Sequence, residues 1–248
     1  MKEKSTKRRK KHMNPFLKLG IGIAILAAIF LFLNSPLFTV EQFTVDGNSY
    51  YLEEEILTMG NCKTGGNIFW GTDCADIKAR LEKDAYMSDV KVRRVLPHTV
   101  AIELVERKQI GAIVYGERYV VIDSAGTVLR KTEVDPKVTV MSGLTISKLE
   151  VGKTVEVEEK VRFRQALELL QAAERGNMYF KKLSISKSGI DAYVLDNLVC
   201  TGTPEHITQA VKDGKLQIVV EELFDRKIER GTIKISGDNN VSFTPKID

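Results

Sequence analysis

Val90-Lys91-Val92-Arg93-Arg94-Val95-Leu96-Pro97-His98-Thr99-Val100-Ala101-Ile102-Glu103-Leu104-Val105-Glu106-Arg107 alternates Val90 and Val92 with Lys91 and Arg93 before Leu96-Pro97-His98, and Val100, Ile102 and Leu104 with Ala101, Glu103 and Val105 after it. A period of two is the signature of a half-buried strand, and the central tripeptide is a turn. Two strands are therefore expected, with Val90 and Val92, then Val100, Ile102 and Leu104, facing a core. Upstream of Asp84 the period lengthens. Cys74, Ile77 and Leu81 share one face of a helix that Thr72 or Asp73 can cap. A Gly-rich loop, Lys63 to Phe69, precedes it. Before the loop, Leu52, Ile56 and Met59 define a second helical face. Glu53, Glu54 and Glu55 sit in its first turns, where the helix dipole favours acids, and Gly60 ends it. Phe38 to Val45 starts the series as a strand and stops at the turn Asp46-Gly47-Asn48. Residues 38–107 thus read strand, helix, helix, strand, strand.

Further upstream, Phe16 to Leu33 reads FLKLGIGIAILAAIFLFL. As a helix it spans about 27 Å, close to the roughly 30 Å hydrocarbon core of a bilayer. Lys18 can snorkel to the headgroups along its own stem. Residues 1–18 hold eight basic residues (Lys2, Lys4, Lys7, Arg8, Arg9, Lys10, Lys11, Lys18) and one acid, Glu3. Of the chain's 37 Lys and Arg and 33 Asp and Glu, this leaves 29 against 32 in the remainder. The basic surplus is thus a flank of the apolar run, which favours a membrane over nucleic acid and keeps the N-terminus cytoplasmic. Leu33-Asn34-Ser35-Pro36 makes a poor cleavage site, so a retained signal anchor is expected rather than a removed signal. Gly20 and Gly22 do not form GxxxG. The expected segments are a basic cytoplasmic tail at 1–15, an anchor at 16–37 and an extracytoplasmic remainder.

Residues 108–248 read as a second, strand-rich unit. Tyr119 to Ile122 and Thr127 to Leu129 flank the turn Asp123-Ser124-Ala125-Gly126 as a hairpin. Val161 to Arg175 is amphipathic, with Phe163, Ala166, Leu167 and Leu170 inward. Leu183 to Ile185, Ile190 to Leu195 and Leu198 to Cys200 are consecutive strands. Thr203-Pro204-Glu205 opens a helix whose middle is weakened by Gly214. Thr232 to Ile235 and Val241 to Phe243 close the chain, joined by Gly237-Asp238-Asn239-Asn240. The fold class is α+β.

Catalytic chemistry is sparse. No HExxH, GxSxG or phosphate-binding loop occurs. His12, His98 and His206 are scattered through the sequence. Cys200 and His206 are a conceivable nucleophile pair, but a buried cysteine beside a surface histidine is the simpler reading. No enzyme activity, cofactor, metal or small-molecule substrate is expected. Cys62 and Cys74 flank the loop between the two helices, a position that allows a disulfide and leaves Cys200 over. Either could equally serve as a small apolar residue.

The order of these elements resembles a family. An anchor followed by strand-helix-helix-strand-strand resembles a POTRA domain. Val40-x-x-Phe43-x-Val45-x-Gly47-Asn48, Asn67-Ile68-Phe69, the 90–107 run, Val121-Ile122-Asp123-x-x-Gly126-x-Val128-Leu129, Gly231-Thr232-Ile233-Lys234-Ile235 and Asn240-Val241-Ser242-Phe243 are similar to the FtsQ/DivIB cell-division proteins. The resemblance implies a POTRA domain at 38–107 and a family-type C-terminal β domain at 108–248. It also implies a scaffold at the bacterial septum. That scaffold binds DivIC/FtsB-like and FtsL-like bitopic partners outside the membrane, and through them FtsW/FtsI-like synthases of septal peptidoglycan. The partner-binding edge strands then map to Ile233, Ile235, Gly237, Val241 and Phe243. A POTRA edge used for recruitment would map to the strand Val100 to Val105. The alternative is a POTRA-bearing component of protein transport or envelope assembly. Such proteins usually carry several POTRA repeats or a membrane barrel, and loss of one misplaces substrates instead of giving filaments.

Overall fold

The computed structural model describes residues 15–237 and 240–246. The basic tail through residue 14 and the turn residues Asp238 and Asn239 lie outside the described residues.

Helix α1 runs Pro15–Leu33, and none of its residues is fully buried. It is the one helix among the described residues long and apolar enough to cross a membrane. A short 3-10 turn at Pro36–Phe38 leads into β1, Gln42–Asp46. Helix α2 spans Glu53–Met59, and its first turn is closed by Glu55, whose carboxylate accepts the Leu52 N–H at 2.8 Å. Helix α3 spans Cys74–Leu81. Asp73 is its cap, accepting from the Ala75 and Asp76 amides at 2.9 and 3.2 Å, which satisfies donors that the first helical turn leaves open. Strand β2, Met87–Val95, begins earlier than the periodicity suggests, and β3 is Thr99–Glu106.

These three strands form one sheet in the order β1-β3-β2. Strand β1 lies parallel to β3, with Gln42 opposite Thr99 and Asp46 opposite Glu103. This corrects the mapping of a recruitment edge onto Val100 to Val105. Strand β3 is central and paired on both sides, so its backbone groups are spent, and among the described residues the outer edges of this sheet belong to β1 and β2. Phe38, Val40, Ile68 and Val100 form the core cluster beside these strands, with Leu33, Phe43, Phe69, Cys74 and Val92 packed against it.

Beyond β3 the chain builds a nine-stranded sheet. Its strands are β4 (Gly111–Tyr115), β5 (Arg118–Ile122), β6 (Val128–Thr132) and β7 (Thr139–Ser142), then β10 to β14. A separate two-stranded ribbon pairs β8 (Ile146–Lys148) with β9 (Glu156–Val157). Strands β10 (Lys182–Ile185), β11 (Ile190–Leu195) and β12 (Leu198–Thr201) run as an antiparallel meander, and the final pair is β13 (Gly231–Ser236) and β14 (Asn240–Pro245). The spatial order is β14-β13-β12-β11-β10-β7-β4-β5-β6. The expected β5/β6 hairpin is present, while β4 and β7 are short strands that the alternation does not announce.

Helix α4, Lys160–Arg175, buries Phe163, Ala166, Leu169 and Leu170. Leu167 is only half-buried, so the inward stripe is rotated slightly from the expected one. The helix expected after Thr203 is two helices. Helix α5, Pro204–Lys212, ends at Asp213, and Gly214 adopts φ +72° before α6, Lys215–Asp225. Left-handed backbone is cheap for glycine, so Gly214 breaks the helix instead of merely weakening it. Helix α5 packs on α4 and β13, and α6 packs on β14.

Contacts divide the chain into two compact units. Among the described residues, one holds 15–46 with 51–79 and 91–103. The other holds 47–50, 80–90 and 104 onward. The dividing line crosses β2 and β3. Tyr86 shows why: it stacks on Tyr50 with centroids 4.2 Å apart, its carbonyl accepts the Arg107 N–H, and its hydroxyl accepts from Arg130 at 3.2 Å. Glu106 adds to this second unit by accepting the Ser49 amide and hydroxyl at 2.7 and 3.0 Å.

Candidate functional site: the β14 edge

Strand β13 pairs parallel with β12, Leu198 lying opposite Gly231, and the chain reaches it through α5 and α6. Strand β14 then returns antiparallel, with Ile233 opposite Phe243 and Ile235 opposite Val241. Among the described residues no strand pairs with the outer side of β14, which stands at one end of the nine-stranded order.

The direction of each backbone group on that edge follows from one bond. Gly231 N–H donates to Asn197 O at 2.9 Å, away from β14. Backbone groups alternate sides along an antiparallel strand. Thr232, Lys234 and Ser236 therefore face β14, and their partners Thr244, Ser242 and Asn240 face back. Val241, Phe243 and Pro245 turn their backbone outward. The edge thus offers two N–H donors, from Val241 and Phe243, and three carbonyls. Pro245 has no N–H, and it occupies an outward position where its absence costs the ladder nothing.

The side chains divide by face. Ile233 and Ile235 are 0% and 2% exposed. They are core residues and present no side-chain surface to a partner; they tie the hairpin to the core. Val241 and Phe243 are half-buried and lean on the same core, while Asn240, Ser242 and Thr244 are exposed. The Phe243 ring lies over Gly231. A Cβ there would meet the ring at 2.4 Å, and Gly231 has φ +146°, so glycine is required twice over. Gly237 follows β13 in the hairpin connection, and a Cβ there would meet nothing within 4 Å. The opposite edge of the sheet, β6, is also unpaired on its outer side among the described residues.

The remaining sequence candidates are cysteines and histidines. Cys200 is fully buried, and burial pushes its thiol up to about 12, so it is no nucleophile at neutral pH. Cys62 and Cys74 are free thiols in this structure, without the bridge their position allows. Burial, with a smaller contribution from Cys74, raises Cys62 to about 11. His98 lies 3.8 Å from Glu41 on the surface. Among the described residues no three His, Cys, Asp or Glu side chains come together as a metal site requires.

One membrane-length helix, a three-stranded βααββ module and a strand-rich α+β unit with a free terminal strand define a POTRA-bearing, membrane-anchored protein. Residues 38–107 match the model of the "POTRA domain, FtsQ-type". The chain is 26% identical to the "Cell division protein DivIB" of Clostridium acetobutylicum over 97% of each chain. It is 25% identical to that of Clostridium botulinum strain Hall, over 96% of this chain and 93% of the relative. It is 28% identical to the "Cell division protein FtsQ" of Syntrophotalea carbinolica over 71% of this chain and 60% of that one. Residues 38–107 are thus an FtsQ-type POTRA domain, and the chain is similar to DivIB and FtsQ cell-division proteins over most of its length.

Proposed function

We propose that this protein is a non-catalytic scaffold of bacterial cell division. Its N-terminus is cytoplasmic, and its POTRA and C-terminal domains, 38–107 and 108–248, work outside the membrane. It captures DivIC/FtsB-like and FtsL-like bitopic partners and so supports septal peptidoglycan synthesis by FtsW/FtsI-like enzymes. The relatives' names support the division role. The observation that carries the mechanism is the unpaired β14 edge, with two outward donors and three outward carbonyls backed by a packed hairpin. A partner segment can add to it as a tenth strand. Backbone bonds then supply affinity, and the half-buried Val241 and Phe243 supply a defined apolar face.

The test is the location of a fluorescent protein fused to the N-terminus in a strain depleted of the native copy. The expected result is a midcell band, with filamentation on depletion. A uniform membrane signal with normal division overturns the division reading. It would favour the transport or envelope-assembly alternative, whose loss misplaces substrates.

A further inference from the structure

The loop between α2 and α3 is built against the end of α1. Asn67 is its hub: its side-chain amide donates to Leu33 O at 2.7 Å, its Oδ1 accepts the Phe69 N–H at 2.9 Å, and its carbonyl accepts the Gly71 N–H at 2.7 Å. Ile68 N–H bonds Phe38 O at 2.8 Å, and Arg94 spans the loop from the other side, donating to the carbonyls of Ile68, Phe69 and Thr72. A Cβ on Gly71 would meet Asn67 N at 2.4 Å, so the loop closes tightly. These bonds tie the loop to the end of the helix.

That position puts Trp70 at the membrane. Its indole N–H donates to Asn34 Oδ1 at 3.1 Å, and its ring stacks on Phe30, centroids 6.1 Å apart and planes 20° from parallel. Phe30 lies three residues inside the end of α1, about 4.5 Å down the helix axis from Leu33. If α1 spans a bilayer, Trp70 is at the boundary between acyl chains and headgroups. It is 55% exposed there, beside exposed Phe32 at 58% and Leu37 at 52%. An amphipathic ring with its N–H satisfied and its face apolar suits that layer.

We propose that the 66–71 loop is a second membrane contact. Trp70 inserts into the interfacial layer of the leaflet at the C-terminal end of α1 and holds the domain at a fixed height and rotation against the lipid. The occupant of this surface is phospholipid. The surface continues a helix none of whose residues is fully buried, and the loop carries no charge between Gly65 and Gly71. The proposal rests on α1 spanning the membrane.

Trp70 is the chain's single tryptophan, so emission excited selectively from tryptophan reports this site alone. The full chain is reconstituted into phosphatidylcholine/phosphatidylglycerol vesicles carrying dibrominated acyl chains, with bromines near the headgroup in one set and deep in the other. Flotation is measured on the same samples. The expected result is co-flotation, a blue-shifted emission that loses most of its intensity to the shallow bromines and less to the deep ones, and weak quenching by aqueous acrylamide. Phe30→Ala, which removes the stacking partner, shifts the emission to the red and raises acrylamide quenching. Co-flotation with emission untouched by bromine overturns the proposal and leaves the anchor standing. Acrylamide access would then mean a solvated loop, and acrylamide protection a surface covered by protein. Failure to float overturns the membrane span, and the proposal with it.

Discussion

Replacing Val241 by proline removes one outward N–H from β14 and leaves the bonds to β13 in place. The ring fits a strand position whose N–H faces away from the sheet. A partner strand added to this edge would keep its carbonyl opposite residue 241 but lose the donor. An unsatisfied carbonyl in a half-buried edge costs about 1–3 kcal/mol, which is about a 5- to 150-fold rise in Kd. Unfolding of the soluble portion should scarcely change. Ser242→Pro is the counterpart: it removes a donor that faces β13, so it should weaken the hairpin itself. Val241→Ala keeps the donor and trims a half-buried side chain, separating packing from backbone pairing. The assay is calorimetric titration of the soluble portion with the extracytoplasmic part of a DivIC-like partner, beside urea unfolding of each variant. Native affinity in Val241→Pro, with its stability intact, would refute strand addition at β14. Attention would then pass to the β6 edge or to the free edges of the three-stranded sheet.

Asp123 is 4% exposed and accepts from the Ala125 and Thr127 amides and from Arg107 Nη1 at 3.0 Å. Asp123→Ala should cost about 3 kcal/mol in urea unfolding, because it leaves a charge and two turn donors without their acceptor. Gly231→Ala should displace the Phe243 ring, lower Tm and reduce partner affinity, whereas Gly237→Ala should change neither, read by thermal melts and the same titration. Denatured without reductant, the protein should show three free thiols. A count of one would mean that Cys62 and Cys74 oxidise to a bridge. In the folded protein, Cys62 should alkylate slowly at pH 8 and speed up only as pH approaches its raised value. Hydrogen bonds from Thr145 hold the Glu159 carboxyl below the usual carboxylate range. The sign follows from linkage: the stabilisation is present above the unfolded carboxylate pKa and disappears as pH falls through the lowered folded one. Glu159→Gln should therefore lower Tm at pH 7 and have no effect in strong acid.

Short-range physics made much of this molecule legible. The apolar run, the 3.6 and 2 periods on either side of Asp84, the Asp73 cap and the Thr203-Pro204 helix start each depend on residues a few positions apart. All appear at or near their expected places. The closing hairpin was legible for the same reason, since Gly237 to Asn240 follows one alternating run and precedes another. Gly214 was visible as a weak point, but whether it bends or breaks a helix depends on what the two halves pack against.

What the sequence determined alone is the anchor, the order of elements in the POTRA module and the pairing of neighbours across short turns. Tertiary structure decided which strands are edges. Strand β1 reaches across two helices to lie parallel to β3, and that long-range pairing puts Val100 to Val105 in the centre of a sheet instead of at its rim. The same holds for β4 and β7, short strands whose parallel pairing joins β5 and β6 to β10 and the strands beyond it. It also holds for Ile233 and Ile235, which alternation marks as one face of a strand but which only packing into the large core cluster buries. Trp70 is the clearest case. Nothing local to Asn67-Ile68-Phe69-Trp70 points to a membrane; the bonds from Asn67 to Leu33 and from Trp70 to Asn34, each closing more than thirty residues of chain, set its depth.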